Sequence, residues 1–147
     1  MNLQEDLKMK GQLTIRVFDR DGNLKEAKNV PNLVVTVGKN YIASRMVGTS
    51  STVMGYMSIG TGTGTPAAGD TTLGTESYRQ ALSSFTSSTN TVTATATFAA
   101  GNGTGAITEA GIFNASSGGT MLCRTTFPVV NKAAGDSIGI TWTVTVS

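Results

Sequence analysis

The chain has 147 residues, with eleven basic and nine acidic side chains for a formal charge of +2, no histidine and one cysteine. That length suits one domain able to bury about 70% of its unfolded surface, so neither a disulfide nor a metal is needed for stability. The charge is too small to argue for nucleic acid or an anionic membrane. The lone cysteine excludes an internal disulfide and a Cys/His zinc site, and no apolar run nears the ~20 residues that span a bilayer.

Charge is unevenly spread. Residues 1–45 hold eight of the eleven basic and five of the nine acidic groups, a local excess of 8 − 5 = +3. Beyond residue 45 only Arg79, Arg124, Lys132, Asp70, Glu76, Glu109 and Asp136 are charged, and Thr, Ser, Gly and Ala take the place of ions. Such a surface suits a face that another protein covers, because a neutral hydroxyl costs less to desolvate than a lone charge. The plainer account is that threonine favours strands.

The opening "MNLQEDLKMK" lacks a signal peptide's apolar segment, which implies synthesis in a cytoplasm. Asn2 is placed to cap a short helix, with Glu5 and Asp6 early, Lys8 and Lys10 late, and Leu3 and Leu7 one turn apart. Residues 1–11 are expected to form an arm that either packs on its own domain or orders against a neighbour, with Leu3, Leu7, Lys8 and Lys10 as its contacts in the second case. "QLTIRVFD" (12–19) alternates Leu13, Ile15 and Val17 inward; "DRDGN" is a turn and "LKEAKN" a return strand. After a break at Pro31, "LVVT" (33–36) is extended. "TVGKNYIASRM" then changes period, with Val37, Tyr41, Ile42 and Met46 at helical spacing and Thr36 as cap.

"VMGYMSIG" (53–60) predicts a buried strand, and "GTGTGTPAAGDTTLGTE" (60–76) a long irregular segment. From there the pattern is β. "RQALSSFT" and "TVTATATF" flank "SSTN", and "GAITEAGIFN" and "TMLCRTTF" flank "ASSGG". The closing "SIGITWTVTV" sets Ile138, Ile140, Trp142, Val144 and Val146 against a face of Ser, Gly and Thr. Short strands between Gly/Asn/Ser turns predict a mainly β protein: an antiparallel β-sandwich or jelly-roll-like single domain at 12–147 with one short helix.

Candidate chemistry is sparse. "DRDGN" alternates Asp19, Asp21 and Asn23 as a calcium loop does, but Gly22 comes one ligand too early and a hairpin turn accounts for it better. "GTGTGT" lacks the lysine of a phosphate loop, Pro66 follows instead, and no βαβ unit supports a dinucleotide motif, so it reads as a loop. Its threonines Thr61, Thr63 and Thr65 are candidate partner contacts. Glu109, the one charge in "GAITEAGIFN", is expected to pair with an arginine such as Arg79 or Arg124, or to accept backbone hydrogen bonds, rather than act as a base. Cys123 alternates with Met121 and Phe127 on an apolar side and, without an imidazole in the chain, reads as core. Trp142 reads as core as well. No catalytic, cofactor-binding or metal-binding residue is expected.

Several segments, taken together, resemble small virion structural proteins of tailed bacteriophages. "FDRDGNLKEAKNVPNLVVTVGKNYIASRM" is similar to their opening, a strand, an Asp-Gly turn, a strand, then "NLVV" and a helix beginning "GKN". "MSIGTGTGTPAAGDTTLGTE" resembles the Gly/Thr-rich passage that follows, ending in an acid with a nearby arginine, here Glu76 and Arg79. "GNGTGAITEAGIFNASSGGTMLCRTTFPVVNKAAGDSIGITWTVTV" resembles their closing half, with "ITEAGIF" and "TWT". The matches span residues 15–146. The resemblance implies a non-enzymatic capsid cement or decoration protein on the outer surface of the virion head. Its implied partners are the major capsid protein and one or two further copies, as a homodimer or homotrimer, with no nucleic acid, membrane or cofactor. Some relatives are tail or baseplate parts, which makes a tail, baseplate or adsorption component the alternative. The absence of a coiled-coil stalk or collagen-like repeat favours the head.

Overall fold

The computed structural model describes residues 3–49 and 52–147. Strands hold 53% of the chain and helix 8%, more than twice the strand share of an average domain. The elements are β1 (Met9–Phe18), β2 (Leu24–Val34), α1 (Thr36–Met46), β3 (Tyr56–Gly60), β4 (Glu76–Ala81), β5 (Ser84–Ser88), β6 (Thr91–Phe98), β7 (Gly105–Phe113), β8 (Met121–Lys132) and β9 (Ser137–Val146). They form one antiparallel, curled sheet in the order β4-β3-β7-β8-β2-β1-β9-β6-β5. The expected β-sandwich-like single domain is therefore what the chain forms.

Two halves face each other across the core. In the first, β1 lies between β2 and β9, and β9 passes to β6 and then β5. In the second, β7 lies between β3 and β8 with β4 outside. The halves join where β2 leaves β1 and pairs with β8 through Leu33↔Arg124 and Val34↔Cys123 alone. On the opposite side the chain steps across within two residues. Leu82 donates its N–H to Gly55 O in the second half, and Ser83 donates to Thr95 O in the first. Tyr78 of β4 meets Phe98 of β6 edge to face, at 6.4 Å between centroids.

Alternation fills the space between. Leu13, Ile15 and Val17 of β1, Ala94, Ala96 and Phe98 of β6, and Ile138, Ile140, Trp142 and Val144 of β9 are all buried in one cluster with Met57, Ile59, Ile112 and Cys123. Trp142 is fully buried, and its Nε1 has no hydrogen-bond partner, a cost the packing of the indole offsets.

The structure departs from the sequence reading in five places. No helix forms over residues 3–8; the expected cap, Asn2, lies outside the described residues. Instead β1 starts at Met9, inside the expected arm, because Met9 and Lys10 pair with Val146 and Thr145. Lys8 and Ser147 exchange both backbone bonds, at 2.6 and 2.8 Å. A nine-residue helix is marginal alone and loses to an available strand edge. Second, Pro31 does not break β2. It sits opposite Gln12 in a strand whose other side meets β8 only at Leu33 and Val34, so a missing N–H is tolerated there. Third, "RQALSSFT" is two strands, β4 and β5, one in each half.

Fourth, α1 matches its expected bounds, but Val35 stands at the N-cap and no side chain caps the helix. The apolar stripe is only half used: within α1 the buried residue is Gly38, whereas Met46 is 85% exposed. The helix lies on β8 so closely that a Cβ at Gly38 would come 2.1 Å from Leu122 O. Fifth, Cys123 is core as expected, but Met121 faces the other way. An irregularity in the β7–β8 register between Ile112 and Phe113 sends Met121 into a second cluster with Val35, Leu73 and Phe113.

Candidate functional site

That second cluster lies outside the sandwich, under residues 61–75, and the loop's anchorage is polar. The β7–β8 register shifts again between Ile107 and Glu109. As a result Thr108 and Glu109, neighbours in sequence, both reach Gly62: Thr108 Oγ1 donates to its carbonyl at 2.7 Å, and Gly62 N–H donates to Glu109 Oε2. Glu109 also accepts from the N–H groups of Gly74 and Thr75, at 2.7 and 2.8 Å. Arg124, its neighbour on β8, donates to Glu109 Oε1 from Nη2 at 3.2 Å, to Asp70 Oδ2 from Nη1 at 2.7 Å and to Gly64 O at 3.1 Å.

Glu109 is wholly buried and Arg124 is 4% exposed. Burying two such ions costs several kcal/mol each, and only complete hydrogen bonding offsets it. Here the loop's own backbone supplies that bonding. Asp70 belongs to the same lattice: the Ala67 N–H, and after it Arg124, hold its carboxyl below the ordinary value.

This arrangement explains the first two glycines of "GTGTGT". A Cβ at Gly62 would lie 2.0 Å from Glu109 Oε2, and one at Gly60 would lie 2.3 Å from Thr75 O. Glycines face the carboxylate and the returning chain, while Thr61, Thr63 and Thr65 are exposed. Of the two expected partners for Glu109, Arg124 is the one. Arg79 pairs with Glu76 at 2.9 Å and donates to Ala115 O and Gly118 O, its guanidinium 3.8 Å from the centre of the Phe113 ring. It ties down the β7–β8 turn instead.

The first half bears a different outer face. Registry aligns Asn29, Thr14, Thr141, Thr95 and Ser84 in one row across five strands. The next row runs Pro31, Gln12, Thr143, Thr93 and Thr86, and a third Lys10, Thr145, Thr91 and Ser88. Hydroxyls bond across the strands, as Ser84 with Thr95 at 2.6 Å, Thr14 with Asn29 at 2.6 Å and Thr91 with Thr145 at 3.3 Å. Such pairs contribute roughly 0.2–1 kcal/mol each. No carboxylate stands in these rows.

The remaining candidates fall into place. Leu3 and Leu7 are exposed, ahead of β1, and Leu7, Lys8 and Lys10 line a groove beside α1 with Lys39, Ile42 and Met46. Thr61, Thr63 and Thr65 belong to the anchored loop, which reaches the start of α1 through Thr36 N–H to Ala68 O at 2.8 Å. The structure thus gives the two sets separate surroundings. Asp19 turns its carboxylate onto the backbone, accepting from Asp21 and Asn23 at 2.9 Å each, and Gly22 takes the positive φ of a hairpin turn. Burial pushes the Cys123 thiol up, away from the nucleophilic form. Among the described residues no three His, Cys, Asp or Glu side chains gather where a metal ion could sit, and no helix is long and apolar enough to cross a membrane.

Sequence reading missed Asp70 and Gly62 as members of the ionic lattice. A partial signal for Gly62 was present in the Gly/Thr alternation, which marks closely approached backbone at Gly60 and Gly62 but not at Gly64. Nothing local marked the groove, which forms where residues 7–10 meet residues 32–46, more than twenty residues further along the chain. No protein-family profile, curated protein or solved structure matches this chain.

Proposed function

We propose that the chain is a non-enzymatic structural protein of a tailed-phage virion, a cement or decoration protein that binds the outside of the head shell as an oligomer and braces neighbouring major capsid subunits. The observation that carries this reading is the hydroxyl face of β5, β6, β9 and β1, three registered rows without a carboxylate. The hydroxyls of such a face desolvate cheaply, and each offers both a donor and an acceptor. Modest contacts of that sort, repeated over a lattice, sum to strong attachment. Binding the assembled shell and not its free subunits stabilises the shell by mass action.

The chemistry of the interior agrees. The one carboxylate in β7 is consumed by backbone N–H groups and Arg124, and the one thiol is buried, so each serves the fold. Heating particles with and without the protein tests the reading. Shells lacking it are expected to rupture at lower temperature or internal pressure; equal rupture rejects the cement role.

A tail, baseplate or adsorption component is the second reading, favoured by the exposed threonines of a loop held on buried ions. Rigid presentation of small hydroxyl side chains suits a host-surface ligand. Gold-labelling the protein on intact particles separates the two, since label confined to the tail replaces the head assignment.

A further inference from the structure

The groove beside α1 holds about 560 Å³ and is lined by the apolar Leu33, Val34, Ile42, Ala43 and Met46 and by Asn32, with Lys8, Lys10 and Lys39 around it and no carboxylate among its lining residues. Leading away from its rim is a stretch of complementary chemistry, Leu3-Gln4-Glu5-Asp6-Leu7, in which two acids stand between two leucines. Leu3 is 88% and Leu7 78% exposed, and the stretch has no regular secondary structure. We propose that the groove takes the Leu3–Leu7 stretch of a second copy of this chain and gives its own in return, which makes a two-fold, arm-exchanged dimer. This inference rests on the oligomer in the reading above but not on the virion.

Charge selects the occupant. Three lysines around an apolar floor favour a short acidic segment with apolar anchors, and the chain carries one at the groove's own rim. Leu3 buries against Leu33, Ile42 and Met46, Leu7 completes the wall where the two copies meet, and Glu5 and Asp6 meet the lysine rim. Folding back into its own groove is disfavoured by geometry. Lys8 is fixed by two backbone bonds to Ser147, and Leu7 already stands on the wall. Reversing direction takes the four residues of a turn, which draws Gln4–Leu7 away from the floor. Exchange between copies needs no reversal, and two-fold symmetry makes each contact twice.

Sedimentation velocity on the purified full-length protein, without particles, tests the exchange. The wild type is expected to dimerise. Leu3→Asp with Leu7→Asp, and separately Glu5→Lys with Asp6→Lys, are expected to weaken dimerisation about tenfold or more while leaving the melting temperature of dilute, monomeric protein unchanged. Lys10→Glu with Lys39→Glu is expected to do the same, and mixing the acid-reversed and lysine-reversed proteins is expected to restore dimers, because both grooves of the mixed dimer are then matched in charge. A wild type that stays monomeric overturns the proposal, as does a dimer indifferent to either reversal. Dependence on the arm but not on the lysines overturns it too, since the arm then docks elsewhere. Because shell binding is measured separately on particles, a failed dimer and a failed virion role are distinguishable.

Discussion

The two outer faces of this sandwich solve the same problem in opposite ways. Over β3, β7 and β8, a loop and a helix cover the sheet, and a buried carboxylate–guanidinium pair carries the loop. Over β1, β9 and β6 nothing from the described chain covers the sheet, and rows of threonine meet the surroundings directly. The difference teaches where polarity is expensive. A covered face needs every polar atom matched, so its side chains are specific and its glycines obligatory. An open face of hydroxyls is satisfied by cross-strand bonds, water or a partner, so individual positions carry little of the stability.

The strongest way to break the contrast is Glu109→Gln. It leaves Arg124 short of a buried charge and disturbs the bonds from Gly62, Gly74 and Thr75, at an expected cost of about 3–5 kcal/mol in urea unfolding. Next comes Gly38→Ala, which drives a methyl into Leu122 O and is expected to cost about 1–3 kcal/mol by the same measurement. A change near zero at Gly38 would show that α1 lifts from β8 at little cost.

Acid sharpens the comparison further. Asp70 and Asp136 both titrate below the ordinary carboxylate value of 3.8, Asp70 chiefly through the Ala67 N–H and Asp136 chiefly through Lys25. The unfolded chain therefore binds protons before the folded one does. The stability they contribute is full above roughly pH 5 and is lost as pH falls through about 4 and below. Asp70→Asn is expected to lower stability at neutral pH and to flatten that acid limb, read from melting temperature against pH. The smallest effect belongs to the open face. Thr93→Val with Thr143→Val, a facing pair, is expected to shift stability by no more than about 0.5 kcal/mol. Thr93→Lys is expected to leave melting unchanged yet reduce attachment to phage heads; undiminished attachment removes this face as the contact.

What could be read without coordinates was whatever repeats with a short period. The alternations in β1 and β9 placed Leu13, Ile15, Val17, Ile138, Ile140 and Trp142 in the core because side chains of a strand alternate whatever its neighbours are. The Asp-Gly turn and the bounds of α1 are equally local, fixed by backbone conformations that few residues tolerate and by a change of period. Strand order, the two register shifts in β7 and the partner of Glu109 were settled only in three dimensions. Each depends on which distant segments compete for the same hydrogen bonds, and Arg79 and Arg124 look alike until the chain has chosen where β4 and β8 lie. The same holds for the first residues, whose helical pattern yields at Met9 to the edge that β9 offers, a strand more than a hundred residues away in the chain.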